Sequence, residues 1–332
     1  MYNPISSIIR TSKRQINESL NILTFPSHER YETGLADTNH NFYAYRAKGI
    51  KDWNVNYGQC PSNYILLDPT LEVNQIPDYV EFDLILSQNK FGQFQIAHQL
   101  AAIMHLPIVS LEHTLPMPQW TKQQRAQLRE MRGKLNVFIS EYSLGEWQWD
   151  DRNDTVVIHH MVDRNLFQPP IIEKRNNYIL SVVNDWINRD IFCGFKIWQR
   201  VTQGLPVRVL GDTPGLSKPA PSINALVSEY QQSAIFLNTS TISPIPTVLL
   251  EAMSSGCACI STATCMIPEI IENGVNGFLS NDERELRGYC ELLLNDAELA
   301  NKLGSNARKT IEEKFNKERF LNQWNTVFRS VL

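Results

Sequence analysis

The chain has 332 residues, 42% of them hydrophobic and 20% charged, with 15 Gly and 17 Pro. That composition excludes disordered, collagen-like and coiled-coil chains and leaves room for two domains. Its 35 Asp and Glu outnumber its 31 Lys and Arg for a net charge of −4, so the molecule as a whole is not built to coat nucleic acid or a membrane.

No run approaches the ~20 apolar residues that span a bilayer. The stretch from Met1 to Leu20 is polar and interrupted by Arg10, Lys13 and Arg14, which points to a soluble, cytoplasmic protein. In chain order, short β-rich apolar runs alternate with turn residues and helical patterns, as parallel α/β domains require. In the first half the runs are Ile22–Phe25, Tyr64–Leu67, Leu84–Ser87, Ile108–Leu111, Val137–Ser140 and Val156–Ile158. Between Trp120 and Lys134 the pattern is helical, with Lys122, Arg125, Arg129 and Arg132 on one face and Leu128, Met131 and Leu135 on the other. With Lys134, five cations against Glu130 give a local charge of +4, either an ordinary solvated face or a contact surface for a polyanion such as nucleic acid.

Phe167-Gln168-Pro169-Pro170 and the charged stretch Glu173-Lys174-Arg175-Asn176-Asn177 read as a linker, because consecutive prolines join neither a helix nor a central strand. This places the boundary near Pro170, giving domains 1–170 and 171–332. Runs at Tyr178–Val183, Val207–Leu210, Ala234–Asn238 and Ala258–Ser261 repeat the theme, and Asn273 to Phe278 reads as a turn and a short return strand. From Asp296 to Leu332, Phe315, Phe320, Trp324 and Phe328 follow at spacings of five, four and four, a packing face expected to fold back toward the first domain. In doubly wound domains ligands bind at the carboxyl ends of the strands, so the chemistry belongs in the loops there.

The six cysteines form no C-x-x-C pair and read as reduced, buried thiols. Adjacent His159 and His160 would point to opposite faces of a strand, and Asp150-Asp151 lacks the D-x-D spacing of a cation site, so no metal is expected.

The most informative segment runs Ser243-Pro244-Ile245-Pro246-Thr247-Val248-Leu249-Leu250-Glu251-Ala252-Met253-Ser254-Ser255-Gly256. A proline-punctuated loop enters a helix whose first-turn amides are free to bind an anion, with Glu251 within two turns. With the strings around Ile267-Pro268-Glu269-Ile270-Ile271 and Asn273-Gly274-Val275-Asn276-Gly277-Phe278-Leu279, this segment resembles retaining glycosyltransferases of glycosyltransferase family 4. The resemblance is dense from about Ser233 to Phe315 and weaker elsewhere. It implies the α/β GT-B fold, two Rossmann-like doubly wound parallel-sheet domains facing a central cleft.

The resemblance also implies roles. The glutamate matching Glu251 grips the ribose of a nucleotide-sugar donor, as a carboxylate accepting two hydrogen bonds can; the bland reading is an exposed helix residue. Where the family has a second glutamate the chain has Ser243, which shifts sugar binding to Ser243 and to the backbone of Ile245, Pro246, Thr247 and Val248. Asn184 stands at the family's arginine position and Arg189 near its lysine, with Lys196 as a substitute. Arg189 is the expected diphosphate ligand, against a surface pairing to Asp185 or Asp190. Gly211 opens a loop resembling the one near the nucleotide base. His113 matches a histidine beside the reacting sugar, where it would hydrogen-bond donor or acceptor near the anomeric centre. Catalysis would thus rest on His113, Glu251 and Arg189. The loop carrying Ser27, His28, Glu29 and Arg30 reads as acceptor recognition or as a charged helix start, with Gln88 and Asn89 beside it.

The expected function is transfer of a sugar, with retention, from a nucleoside-diphosphate sugar as co-substrate to a hydroxyl acceptor, without metal or other cofactor. Three alternatives stay open: a transferase acting on hydroxymethylated bases in DNA, a GT-B nucleotide-sugar epimerase, and a non-catalytic sugar-nucleotide binding protein.

Overall fold

The computed structural model describes residues 18–46, 52–68, 70–71, 74–149, 153–171 and 175–332. The chain forms two compact units, Met1–His160 with Glu318–Leu332, and Met161–Lys317.

The first unit runs β1 (Asn21–Thr24), α1 (Glu29–Ala36), β2 (Asn41–Tyr45), β3 (Tyr64–Leu67), β4 (Leu84–Ser87), α2 (Phe94–Met104), β5 (Ile108–Glu112), α3 (Lys122–Arg129), β6 (Leu135–Phe138), α4 (Glu141–Glu146) and β7 (Thr155–Val157). Its seven strands lie in the order β3-β2-β1-β4-β5-β6-β7, with every adjacent pair parallel. Every residue of β4 and β5 is buried. Central parallel strands are covered on both faces, which is why Leu84-Ile85-Leu86 reads as a continuous apolar run and not as an alternation. The strand order reverses between β1 and β4, so their exits splay apart and leave a crevice at the carboxyl edge.

The second unit runs β8 (Asn176–Val182), α5 (Asp190–Cys193), α6 (Phe195–Thr202), β9 (Val207–Leu210), α7 (Ile223–Gln232), β10 (Ser233–Asn238), α8 (Thr247–Ser254), β11 (Ala258–Ser261), α9 (Ile267–Ile270), β12 (Phe278–Leu279), α10 (Glu283–Asn295) and α11 (Ala297–Lys314). Its five parallel strands lie in the order β12-β11-β10-β8-β9, so the reversal falls between β8 and β10. The return strand expected near Phe278 is β12, and it runs parallel to β11.

The boundary lies at His160/Met161, before the prolines. Residues 161–170 are part of the second unit's packing: Val162 N–H donates to Phe315 O at 3.0 Å, and Phe167 O accepts from Ser254 Oγ at 2.7 Å and from Arg308 at 2.8 Å. Of the charged stretch read as linker, Glu173 and Lys174 lie outside the described residues, as do Asp150 and Asp151 and most of Met1 to Leu20. Arg175 is built in, donating to Tyr230 O, Ser233 O and Ser255 O at 2.6 to 3.0 Å.

The last aromatic face is also divided. Phe315 caps α11 in the second unit, and a new helix, α12 (Lys317–Ser330), carries Phe320, Trp324 and Phe328, all fully buried, back onto the first unit. There Phe320 meets Tyr31 edge-on at 5.5 Å, and Phe328 meets His40 and Phe42 at 5.7 and 6.2 Å. Burying each such ring is worth ~1.5–3 kcal/mol, so this one helix face is a large share of what holds the first unit together. Of the cysteines, Cys193, Cys257, Cys259 and Cys290 are buried as expected, whereas Cys60 is exposed and Cys265 half-buried.

Candidate active site

At the β1/β4 crevice of the first unit, loops meet around one buried carboxylate. Glu32 has no exposed surface. Its Oε1 accepts from Ser27 N–H at 2.8 Å and Ser27 Oγ at 3.0 Å, and its Oε2 accepts from Tyr64 OH at 2.8 Å and Gln88 Nε2 at 2.9 Å. Burial raises the carboxyl above its usual range, and these four hydrogen bonds work against that rise. Gln88, also fully buried, gives its second amide hydrogen to Thr24 Oγ1 at 3.1 Å. Its Oε1 faces Ser27 Oγ at 3.0 Å and His113 Nε2 at 3.2 Å. The half-buried His113 ring stands edge-on to Tyr31 at 4.5 Å, with His160 at 5.9 Å. Burial first, and then His160 and His28, hold His113 well below the usual histidine range, so its ring is neutral at pH 7.

A second buried carboxylate fixes the neighbouring loops. Glu112, the last residue of β5, accepts Lys90 N–H at 2.9 Å, Thr114 N–H at 2.8 Å and Thr114 Oγ1 at 2.6 Å, tying the exits of β4 and β5 on either side of Gln88 and His113. Lys90 is itself 1% exposed. Its Nζ donates to Met131 O at 2.6 Å and lies 4.6 Å from the Trp149 ring centre, and burial brings its pKa down to about 8.

In the second unit, the loops after β8 and β10 flank the other reversal of strand order. The β10 loop is stapled down: Thr239 Oγ1 donates to Cys193 O and Gly194 O at 3.1 and 3.0 Å, and Thr241 N–H donates to Phe192 O at 2.9 Å. Gly194, at φ +63°, lets α5 and α6 meet against this loop, where a Cβ would sit 2.0 Å from Thr239 O. Backbone hydrogen bonding at the start of α8 begins with Leu249 and Leu250 N–H on Pro246 O, and no side chain caps its first turn. The Thr247 and Val248 amides at this helix start therefore point at an anion-favouring end. Glu251, one turn on, is 3% exposed, and its Oε2 accepts from Tyr230 OH at 3.0 Å.

The structure places the expected residues unevenly. Ser27, Gln88 and His113 come together. Asn89 is half-buried beside them, and His28 is exposed and stacked on Tyr57. Glu29 and Arg30 form the first turn of α1, the charged helix start weighed above, with Glu29 accepting Asn54 N–H at 2.9 Å. Ser243 is half-buried, while Ile245 and Pro246 are buried within the second unit. Arg189 is exposed, and one guanidinium nitrogen lies 3.4 Å from Asn184 O. Lys196, not Arg189, pairs with Asp190, at 3.6 Å. Asn184 Oδ1 receives Asp212 N–H at 2.8 Å, and Gly211, at φ +119°, leaves no room for a side chain against Val183 O. Both serve first to lock two loops together.

The cationic face does not form as expected. Helix α3 ends at Arg129, because Gly133 must pass so close to β5 that a Cβ would lie 2.6 Å from Ile108 O. Arg132 therefore sits off the helix, over Trp149 at 4.2 Å. Arg125 donates to Met117 O and Arg129 to Gln148, which leaves Lys122 as the exposed helix cation of the four. Among the described residues no group of three His, Cys, Asp or Glu side chains is placed to hold a metal ion, and no helix is long and apolar enough to cross a membrane.

Sequence reasoning missed Glu32, Thr24, Tyr64 and Tyr230. Glu32 was findable, because it lies between Tyr31 and Leu35 on the apolar face of α1, where a carboxylate must have partners.

Residues 220–310 match the family model described as glycosyl transferases group 1. This group 1 segment spans α7 to α11 and contains the α8 start and Glu251. An 87-residue stretch is 38% identical to N-acetyl-alpha-D-glucosaminyl L-malate synthase of Bacillus anthracis, covering 26% of this chain and 23% of that relative's length. The chain thus spans less than a quarter of that relative. Among solved structures, sucrose-phosphate synthase from Thermosynechococcus elongatus matches at a TM-score of 0.74 and 13% identity, over 94% of this chain and 98% of that one. Anabaena HepE, solved with UDP-glucose, matches at 0.71 and 16%, over 94% and 100%. These neighbours are GT-B glycosyltransferases, and the fold of this chain is theirs.

Proposed function

We propose that the chain is a retaining glycosyltransferase of the family 4 type, moving a sugar from a nucleoside-diphosphate donor to a hydroxyl acceptor. The observation that carries this reading is the uncapped α8 start with Glu251 one turn behind it, inside the segment that matches the group 1 model. An uncapped helix start favours a diphosphate through its free amides and its dipole. Arg189, exposed and outside the Lys196–Asp190 pair, supplies the mobile counter-charge, so the diphosphate needs no metal bridge. Glu251, oriented by the Tyr230 hydroxyl, offers its carboxylate to the ribose diol. The uridine nucleotide in the HepE complex makes UDP-sugars the first donors to try.

In this reading the second unit takes the donor and the first takes the acceptor, with His113 meeting a substrate hydroxyl. Chemistry then consists of stabilising the leaving diphosphate while the acceptor hydroxyl attacks the anomeric carbon on the face the diphosphate leaves, its proton passing to the departing phosphate oxygen.

The test is thermal shift with a panel of nucleoside diphosphates and their sugars, because a ligand held only by the native state stabilises it by ~2.7 kcal/mol at a hundredfold excess over Kd. One nucleotide should raise Tm in the wild type and not in Glu251→Ala. Transfer from that donor should then give a product with the donor's anomeric configuration by proton NMR, unchanged by EDTA. A shift that survives Glu251→Ala and Arg189→Ala would refute the site assignment, and no shift with any nucleotide would refute the function.

A further inference from the structure

The hydrogen bonds around Gln88 decide more than the shape of a loop. An amide side chain has one accepting end and one donating end, and its orientation follows from its partners. One end of Gln88 meets Glu32 Oε2 at 2.9 Å and Thr24 Oγ1 at 3.1 Å. Glu32 Oε2 also receives the Tyr64 hydroxyl, and Oε1 receives both the amide and the hydroxyl of Ser27. The Ser27 N–H can only donate, so Oε1 accepts, and with the Tyr64 hydroxyl on Oε2 these contacts hold the carboxyl in its accepting, ionised form against the rise that burial imposes. The Gln88 atom facing it must therefore be the NH2, and the other end, facing His113 Nε2 at 3.2 Å, must be the carbonyl oxygen. That oxygen cannot donate, so the proton in the contact belongs to His113 Nε2. Ser27 agrees: its one hydroxyl proton goes to Glu32 Oε1, which leaves its oxygen lone pairs toward His113 Nε2 at 3.4 Å.

We propose that Glu32, acting through Gln88, holds His113 as the tautomer protonated on Nε2, so that Nδ1 is the ring's accepting nitrogen for a substrate hydroxyl. Glu32 and Gln88 are then positioning residues for the transfer. Among the described residues no hydrogen bond reaches Nδ1, whereas Nε2 has both of its partners. The direction matters: His113 accepts a proton or hydrogen bond from a hydroxyl and does not donate one to an oxygen. This role rests on the function proposed above, but the tautomer does not, and the two are tested separately.

Histidine labelled with nitrogen-15 in the full chain without ligand gives the tautomer directly, since the two ring nitrogens show different couplings and shifts when bare or protonated. His113→Asn assigns the signal. The wild type should show Nε2–H. In Glu32→Gln the new amide can donate to Gln88, which lets the Gln88 side chain turn over and present its NH2 to His113, so the Nδ1–H form should grow. Gln88→Met should leave the ring averaging between forms. In transfer assays both variants should lose ~10-fold or more in kcat, the scale of one misdirected hydrogen bond, while KM for the donor holds. Nδ1–H in the wild type, which needs no variant to fold, overturns the proposal, and so does an unchanged tautomer in both variants. Nε2–H with no transfer activity would leave the relay standing and refute the function instead.

Discussion

Glu32→Gln also tests the charge state of the buried site through stability. The wild-type carboxylate fills four acceptor positions, and its surroundings offer it only donors. Glutamine keeps the volume and one accepting oxygen, but its NH2 must face donors on one side. Ser27 is exposed, so water can take over its amide and hydroxyl. With the new NH2 on the inner side Gln88 can turn over to accept from it, and Tyr64, 3% exposed, is left without an acceptor. An unsatisfied buried donor costs ~1–3 kcal/mol, so about 1–3 kcal/mol is expected. Glu32→Ala, with a cavity as well, should cost about 3–5 kcal/mol. The assay is urea denaturation followed by tryptophan fluorescence; if the units unfold in separate steps, the loss should fall on one step alone. If Glu32 were protonated in the native state, glutamine would be a near-perfect mimic. A loss under about 0.5 kcal/mol at pH 7 would refute the ionised, four-donor carboxylate and the Gln88 orientation built on it.

Acid should weaken the first unit through its buried histidines. Burial lowers the pKa of His160 to about 3, and the ring regains its ordinary value on unfolding. Between those values the unfolded chain binds the extra proton, so stability is complete above pH ~6.5 and falls as pH drops, by up to ~1.4 kcal/mol per unit. His160→Gln should flatten the Tm-against-pH curve between pH 6 and 4, and an unchanged slope would count against the depressed pKa. Lys90→Met should keep stability within about 1 kcal/mol at pH 7, because the aromatic slot accepts an apolar chain, whereas Lys90→Ala should lose ~2–4 kcal/mol. Equal losses in melts of the two variants would show that the ammonium, not the packing, matters. Gly211→Ala should cost ~3 kcal/mol or more, since its φ is +119° and the new methyl would meet Val183 O at 2.0 Å. A Tm within a degree of wild type would mean the two loops are not locked.

The sheet of each unit was legible because buried parallel strands must be apolar throughout, and Leu84–Ser87 and Ala258–Ser261 stand out for that reason. Strand β2, Asn-Phe-Tyr-Ala-Tyr, was not, since it carries aromatics and no β-branched residue to mark it. Spacing alone put Phe315 on one face with Phe320. The helix in fact breaks at Asn316, and no glycine or proline there announces the break. The start of α8 was legible because Pro244 and Pro246 interrupt the strand pattern just before a run of helix formers. The cluster at Glu32 joins Ser27 to His113, 86 residues apart, and only the strand order brings them together. The lone histidine and serine could be suspected. Glu32 could be suspected too, from the apolar face of its helix, but its link through Gln88 to His113 could not, until the β1/β4 reversal was known.

The return of α12 to the first unit has a consequence in time. The second unit is one unbroken stretch of chain, but the first is completed by residues 318–332, beyond it in the chain. On the ribosome, Tyr31, His40 and Phe42 are made about 290 residues before Phe320 and Phe328, the rings that cover them. The usual order of synthesis is thus inverted: the later unit can close its core while the earlier one waits, its aromatic face uncovered, for α12 to emerge. Truncation before Glu318 would spare the half that carries α8 and cripple the half that carries His113.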